Sequence, residues 1–484
     1  MTGRISRNMS TLRPFAAALV ATLALSACGY KKTPPPAVVA APPAWDAPVP
    51  VGTADVWPAL DWWKGFGSAE LDRLVADAKA SNTDMAAAAA RVTQAQAQLR
   101  IAGASLLPSL SFSGSGTTRR AGSGASTSGS ATGSSNTAGG WNDTYAASLS
   151  ASYEVDFWGA NAAGEAAAAA SLAASRFDQE TVALTVTTGV ATTYLQVLSL
   201  RDRLAVARSN LAIAEDVMGL VEARVNAGAG SDLDLAQQRT VVAQRRGAIP
   251  PLEQQAREQL TALAILLGKV PSGFQVAATS LASVGVPKVT AGLPSALLER
   301  RPDIKTAEAR LSAADANIAV ARAAFFPQVT LSASMALQQA AFGDLFSLSG
   351  AAYSLAASLV QTIFDGGQRA AQYDLSEAQQ VELVQSYRAV ILTALRDVEV
   401  ALGSVDSLER QRVFQDDQVA QARRALELAQ IQYRAGSGDL LSVLTAQQSL
   451  YAAVDAQAQI KLSALQAVVG LYKALGGGWQ AGPQ

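Results

Sequence analysis

The most regular pattern in this chain is an alternation of apolar and small polar residues in four short segments. In "PSLSFSGS" the apolar positions are Leu110 and Phe112, and in "YAASLSASYEV" they include Leu149, Ala151, Tyr153 and Val155. Far downstream, Val329, Leu331, Ala333 and Met335 alternate in the same way, followed by Tyr353, Leu355, Ala357 and Leu359. A period of two places such residues on one face of a strand and the intervening serines on the other. Each run predicts a strand of about ten residues, the length a tilted strand needs to cross a bilayer. A half-buried hairpin of a soluble protein alternates likewise, so the pattern alone leaves both readings open. Four strands cannot close a barrel, and an open sheet edge cannot face lipid. A membrane location therefore requires several chains to pool their strands.

After each strand pair the period changes. From Gly367 to Gly436 the pattern is helical almost without interruption, and its counterpart runs from about 165 to 227. Tyr387, Ile391, Ala394, Val398, Ala401, Val405 and Leu408 step alternately by four and three, which predicts a coiled-coil seam. At ~1.5 Å per residue such a helix reaches about 100 Å, far beyond the span of an ordinary domain helix. An extended stalk without a pore would carry the same seam. Ahead of the first strand, "WWKGFGSAELDRLV" predicts a helix start, with Ser68 as N-cap and Glu70 and Asp72 in the first turn.

The chain also repeats itself. "ARVTQAQAQLRIAGASLLPSLSFSGS" from Ala90 aligns with "ARLSAADANIAVARAAFFPQVTLSAS" from Ala309, pairing Arg91 with Arg310 and Pro108 with Pro327. Later, "VNAGAGSDLDL" aligns with "YRAGSGDLLSV", pairing Gly228 with Gly436. A longer Ser/Gly/Thr loop in the first copy accounts for the change of offset. Repetition at this scale sets the division of the chain. Residues 1–27 read as an export signal, 28–60 as a proline-rich tether, 61–290 and 291–478 as two repeats, and 479–484 as a short tail.

Composition narrows the chemistry. The N-terminal segment carries Arg4, Arg7 and Arg13, then the apolar run "FAAALVATLAL", too short to span a bilayer. No other apolar run approaches a transmembrane helix in this reading. Removing those three arginines from 38 basic residues leaves 35 against 39 acidic ones, a net charge of −4 that carries no nucleic-acid signature. Histidine is absent, which removes the commonest general acid–base and a common metal ligand. No phosphate-binding loop appears, so nothing argues for an enzyme or for a metal or organic cofactor. The single cysteine, Cys28, ends the signal in "L-S-A-C". That pattern resembles the lipobox of bacterial lipoproteins, which implies diacylglycerol on the Cys28 sulfur and an acyl chain on its amine. By the same resemblance, Gly29 at the next position implies sorting to the outer membrane.

The segment "LPSALLERRPDIKTAEARLSAADANIAVARAAFFPQVTLSAS" closely resembles a signature of TolC-like outer-membrane efflux proteins of the OprM/NodT branch. "WWKGFGSAELDRLV", the lipobox and "YRAGSGDLLSVLTAQQSLYAA" resemble three further landmarks of that branch, in the same order. The resemblance covers essentially the whole mature chain. It implies a mixed α/β membrane protein in which three chains give four strands each to a 12-stranded outer-membrane β-barrel, continued by a long periplasmic α-helical barrel. It implies a homotrimer that docks to a periplasmic adaptor and an inner-membrane RND pump and passively conducts small molecules outward. The channel of a type I protein secretion system is the alternative within the family. A lipid-anchored coiled-coil structural protein is the alternative outside it.

Both helix–turn–helix tips are candidates for the periplasmic entrance. Gly228 and Gly436 stand where a helix must end, which favours the left-handed conformation. Asp232 and Asp439 follow the two tips, where an aspartate either caps the next helix or adds charge to the entrance. Asp234 matches a family position whose carboxylate bonds across the tip to a tyrosine, and Tyr433 stands at that tyrosine's position. The family's pore-narrowing aspartates correspond here to Ser442 and Thr445, and a basic tip residue of some relatives corresponds to Gly438. Arg300, Arg301 and Asp303 in "LLERRPDI" read as structural, with Pro302 opening a helix.

Overall fold

The computed structural model describes residues 41–48, 57–120, 141–287, 292, 294–347 and 351–479. The export signal, Cys28 and most of the tether lie outside the described residues, as does nearly all of the tail. The elements below belong to one compact unit, Ala40–Gln484.

Ser68 opens the first helix as its spacing predicts: its Oγ accepts from the Leu71 N–H at 3.2 Å, and α1 runs Ala69–Ser81. Asn82 ends α1 and starts α2 (Thr83–Ala104), accepting from the Asp84 and Met85 N–H groups at 2.9 and 3.0 Å. Just past Pro108 the chain turns into β1 (Ser109–Arg120), which returns as β2 (Trp141–Glu154). There follow α3 (Ala160–Asn226), α4 (Asp232–Gly247) and α5 (Ile249–Leu266). The second half starts with α6 (Pro294–Arg300) and α7 (Pro302–Ala323) and continues with β3 (Gln328–Gln339) and β4 (Ala351–Val360). It closes with α8 (Gln368–Arg434) and α9 (Leu440–Ala474).

The four strands form one antiparallel sheet in the order β1-β2-β3-β4, so strands from both halves share a sheet across the β2–β3 pairing. Register sorts the two faces. Phe112, Leu149, Met335 and Tyr353 are cross-strand neighbours, as are Leu110, Ala151, Ala333 and Leu355. Leu110, Phe112, Tyr353, Leu355 and Leu359 stand exposed on this face. The opposite face carries the row Ser111, Ser150, Ser334 and Ser354. Its hydroxyls pair directly: Ser111 with Ser150 at 2.8 Å, Ser113 with Ser148 at 2.7 Å, Ser334 with Ser354 at 2.7 Å. Aromatic residues gather at both ends of the strands. At the helical end Trp158 stacks on Phe326 at 4.7 Å and donates to the Pro327 carbonyl, with Phe157 and Phe364 exposed nearby in sequence. At the other end Tyr145 meets Phe342 edge-on, and Trp141 and Phe346 are exposed.

The two long helices each have 67 residues. The seam along α8 departs from the spacing prediction. Ile391, Ala394, Val398 and Leu402 are buried, in steps of three, four and four, whereas Ala401, Val405 and Leu408 are half-buried. Eleven residues make about three helical turns, so Ile391 and Leu402 share the inward face with Ala394 and Val398 between them. Heptad spacing appears lower down, at Gln415, Val419, Ala422, Leu426, Ala429 and Tyr433, where α9 is the partner. In α3, one stretch is apolar and long enough to cross a membrane, against the expectation from sequence. Half of that stretch is buried against the rest of the fold, as in a core helix.

Arg301 is the polar knot of the second half. It is nearly buried, pairs with Asp303 through Nε and Nη2 at 3.0 and 2.6 Å, and donates to the Ala474 carbonyl at 3.1 Å. Asp397 of α8 lies 3.6 Å away. Pro302 occupies the first turn of α7, where its missing N–H costs nothing. This triplet is structural, as its sequence suggests.

Candidate entrance at the paired helix tips

Both long helices end in the same way. Gly228 has φ 74° and Gly436 φ 77°. The Gly228 N–H donates to the Val225 carbonyl at 2.9 Å, and the Ala229 N–H to Arg224 at 2.8 Å. At the second tip Gly436 donates to Tyr433 at 3.2 Å, and Ser437 to Gln432 at 3.1 Å. These crossed bonds satisfy the last carbonyls of a helix and need a residue without a Cβ at the turn. The second glycine of each tip is needed for a different reason. A Cβ on Gly230 would stand 3.0 Å from the Val225 Cγ2, and one on Gly438 3.0 Å from the Gln432 Cβ and 3.3 Å from the Tyr433 nitrogen. A side chain at Gly438 therefore fits only if Gln432 or the turn gives by a few tenths of an ångström.

The returning helices are capped by equivalent residues. Ser231 caps α4: its Oγ accepts from the Asp234 N–H at 3.2 Å, while the Asp234 carboxylate accepts from the Ser231 N–H at 3.0 Å. Asp439 caps α9 by accepting from the Ser442 N–H at 2.8 Å. Hydrogen bonding from Ser442 holds the Asp439 carboxyl below its ordinary pKa. Asp232 sits exposed in the first turn of α4, favourable to the helix dipole but not the cap. Ser442 and Thr445 are exposed on the first turns of α9, and the Thr445 hydroxyl donates to the Leu441 carbonyl at 2.8 Å.

The expected Asp234–Tyr433 bond is not made. Asp234 is engaged in its own capping box, and the Tyr433 hydroxyl is buried with no hydrogen-bond partner. Burial, chiefly, pushes the Tyr433 phenol up, with Arg224 opposing and Asp234 adding to the rise. The contact between the tips comes from Arg224. Its guanidinium lies 4.4 Å from the Tyr433 ring centre and donates to the Tyr433 carbonyl, and it donates to Ala229 of its own tip at 3.2 Å. Beneath it Val217, Val221, Leu426, Tyr433, Leu440, Val443 and Leu450 form one buried cluster. Sequence reasoning missed Arg224 and Ser231, because an arginine in a last turn reads as a dipole complement and Asp232 overshadowed its neighbour.

Comparison with known proteins decides what these tips belong to. A family model for outer membrane efflux proteins matches residues 74–269 and 293–477. The chain belongs to this family. It is 47% identical over 464 residues to the pyoverdine export outer membrane protein OpmQ of Pseudomonas aeruginosa, covering 96% of this chain and 97% of that protein. It is 31% identical over 433 residues to the cation efflux system protein CusC of Escherichia coli, covering 89% and 91%. Among solved structures, the outer-membrane channel OprN superposes with a TM-score of 0.85 at 26% identity, over 94% of this chain and 100% of that one.

This outer membrane efflux protein thus shares the helix-rich, four-stranded fold of the TolC-like channels. It serves efflux at the outer membrane as an exit duct, and its family is one of channels rather than enzymes. The candidate entrance residues are brought together in part. Tyr433 joins the apolar cluster under Arg224, whereas Asp232, Ser442 and Thr445 remain on exposed helix turns.

Proposed function

We propose that three copies of the chain close a 12-stranded barrel whose helical continuation conducts small molecules delivered by an inner-membrane RND pump and a periplasmic adaptor. The single observation that carries this is the sheet itself. Among the described residues its end strands β1 and β4 have no partner beyond their own sheet, one face exposes Leu110, Phe112, Tyr353 and Leu355, and the other presents paired serines. Unpaired edges and an exposed apolar face are costly in a monomer and are both resolved by threefold closure in lipid. Strands of 10 to 14 residues, at ~3.3 Å each and a tilt of ~40°, rise enough to span the apolar core. The aromatic residues at both strand ends fit the two interfaces. Serines on the inner face suit a water-filled duct.

The cargo we propose, by likeness to the OpmQ proteins, is pyoverdine or a compound of its kind. Lipid on Cys28 would add a membrane anchor at ~0.8 kcal/mol per buried CH₂, serving sorting more than conduction. Cross-linking in native envelopes, followed by purification through a C-terminal tag and mass spectrometry, tests the assembly. A trimer recovered with an adaptor and a proton-driven pump supports the reading. Recovery of an ATP-driven exporter would move the function to protein secretion, and a monomer without envelope partners would overturn it.

A further inference from the structure

Consecutive arginines end the first strand on opposite faces of the sheet. Arg120 lies opposite Trp141, its guanidinium 5.8 Å from the indole ring, on the face that carries Leu110 and Phe112. Arg119 lies opposite Asn142 and shares the other face with Ser111 and Ser113. Strand alternation makes this division, because the β1–β2 register runs unbroken from Ser109 to Arg120. Arg119 is exposed.

The rest of the serine face is short of charge. Among the described strand residues it carries two ionisable side chains, Arg119 at the outer end and Glu154, paired with Thr330, at the helical end. Between them stand hydroxyl, amide and small apolar residues. Residues 121–140, which join β1 to β2, contain no acidic or basic residue. The acids near this end belong elsewhere. Asp143 pairs with Thr118 on the apolar face, and Asp344 ends the short turn whose Phe342 packs edge-on against Tyr145 of that same face.

We propose that Arg119 makes the outer mouth of the duct selective for anions, and so favours an anionic over a cationic cargo at the exit. The inference rests on the threefold closure proposed above, which sets three copies of Arg119 in one ring on the water-filled side. Rings of arginine or lysine are a recurring device of anion-conducting pores. Twelve strands about 4.8 Å apart and tilted ~40° close at a backbone radius of about 12 Å. An arginine reaching inward from that wall holds its charge within a Debye length of the duct axis, ~8 Å at physiological salt. A hydroxyl-lined wall adds no charge to oppose it, and the low-dielectric barrel around the water focuses the field. Glu154 gives the barrel a polarity, acidic where cargo enters it and basic where cargo leaves.

Single-channel recording of the full-length trimer in planar bilayers tests this with two readouts. The reversal potential in a KCl gradient gives the ratio of anion to cation permeability. The polyanion mellitate, added on the barrel side, gives a half-blocking concentration set at the mouth; where the acidic tips dominate the reversal potential, the block decides. Arg119→Glu lowers the permeability ratio by about threefold or more and raises the half-blocking concentration about tenfold. Arg119→Lys, which keeps the charge, preserves both. Arg120→Glu makes the same change of charge one residue away, on the apolar face, and leaves both readouts as they were. Equal effects of Arg119→Glu and Arg120→Glu would show that only the net charge of the rim matters, and would overturn the proposal. So would a heat-modifiable trimer whose mellitate block is indifferent to Arg119→Glu. Absence of the trimer and of conductance in the unmutated chain would instead sink the closure on which the inference rests.

Discussion

The Arg224 guanidinium of the first tip caps the ring of Tyr433 in the second and donates to the same residue's carbonyl. One side chain thus grips two helix ends contributed by different repeats. A partly desolvated contact of this kind is worth about 1–2 kcal/mol. Replacing Arg224 with Gln should loosen the tips and at least double single-channel conductance in planar bilayers. Asp234→Asn, which leaves Arg224 in place, should not change it. The reverse pattern would restore the aspartate–tyrosine latch as the closing contact.

Asp439 gives a pH-dependent effect of known sign. Its folded pKa is lowered, so its stabilisation is present above the ordinary carboxylate range and is lost as pH falls through the folded value. Asp439→Ala should therefore lower the thermal midpoint more at pH 7 than at pH 3. An equal loss at both pH values would show that the carboxylate charge is not what caps α9.

Two tip glycines should fail for different reasons. Gly436→Ala forces a side chain into the left-handed region, at about 1–2 kcal/mol. Gly438→Ala instead brings a Cβ to 3.0 Å from the Gln432 Cβ and 3.3 Å from the Tyr433 nitrogen, and should cost less than Gly436→Ala because a shift of a few tenths of an ångström relieves it. Gly219, within α3, has open space around its Cα, and Gly219→Ala should stabilise by up to about 1 kcal/mol. Denaturation curves of the three variants check the order.

The two sheet faces should respond oppositely to charge. Leu355→Arg on the apolar face should cost about 2–4 kcal/mol near the bilayer midplane and abolish the heat-modifiable band on unheated gels. Ser334→Asp on the serine face should leave that band intact and raise the cation selectivity measured from reversal potentials. If both variants behaved alike, the assignment of lipid and water faces would be wrong.

Removing Arg301 should be more damaging than any tip change. It would leave Asp303 without its arginine and the Ala474 carbonyl without its donor, while Asp397 keeps Arg396 at 2.7 Å. Truncating one partner of a fully buried pair costs about 3–5 kcal/mol, and the one-third exposure of the Asp303 side chain brings the cost here to about 1–3 kcal/mol. Arg301→Ala should lower the thermal midpoint sharply and reduce assembled protein in the envelope.

Local periodicity was enough to read the strands, their two faces and the long helices, because a period of two and a period near 3.6 are written in neighbouring residues. The caps at Ser68 and the left-handed turns at Gly228 and Gly436 were legible for the same reason: each satisfies backbone groups within four residues of itself. Contacts between segments hundreds of residues apart were not. The seam on α8 moves from Ala401 to Leu402 because the face a helix buries is set by its partners, not by its own spacing. Asp234 turned to its own cap and Arg224 took the place across the tips, a choice between a local bond and a distant one that only the packed chain decides. Sequence by itself determined which elements form and where they stop, and tertiary packing decided which side chains meet, since burial and pairing energies arise only once those elements are brought together.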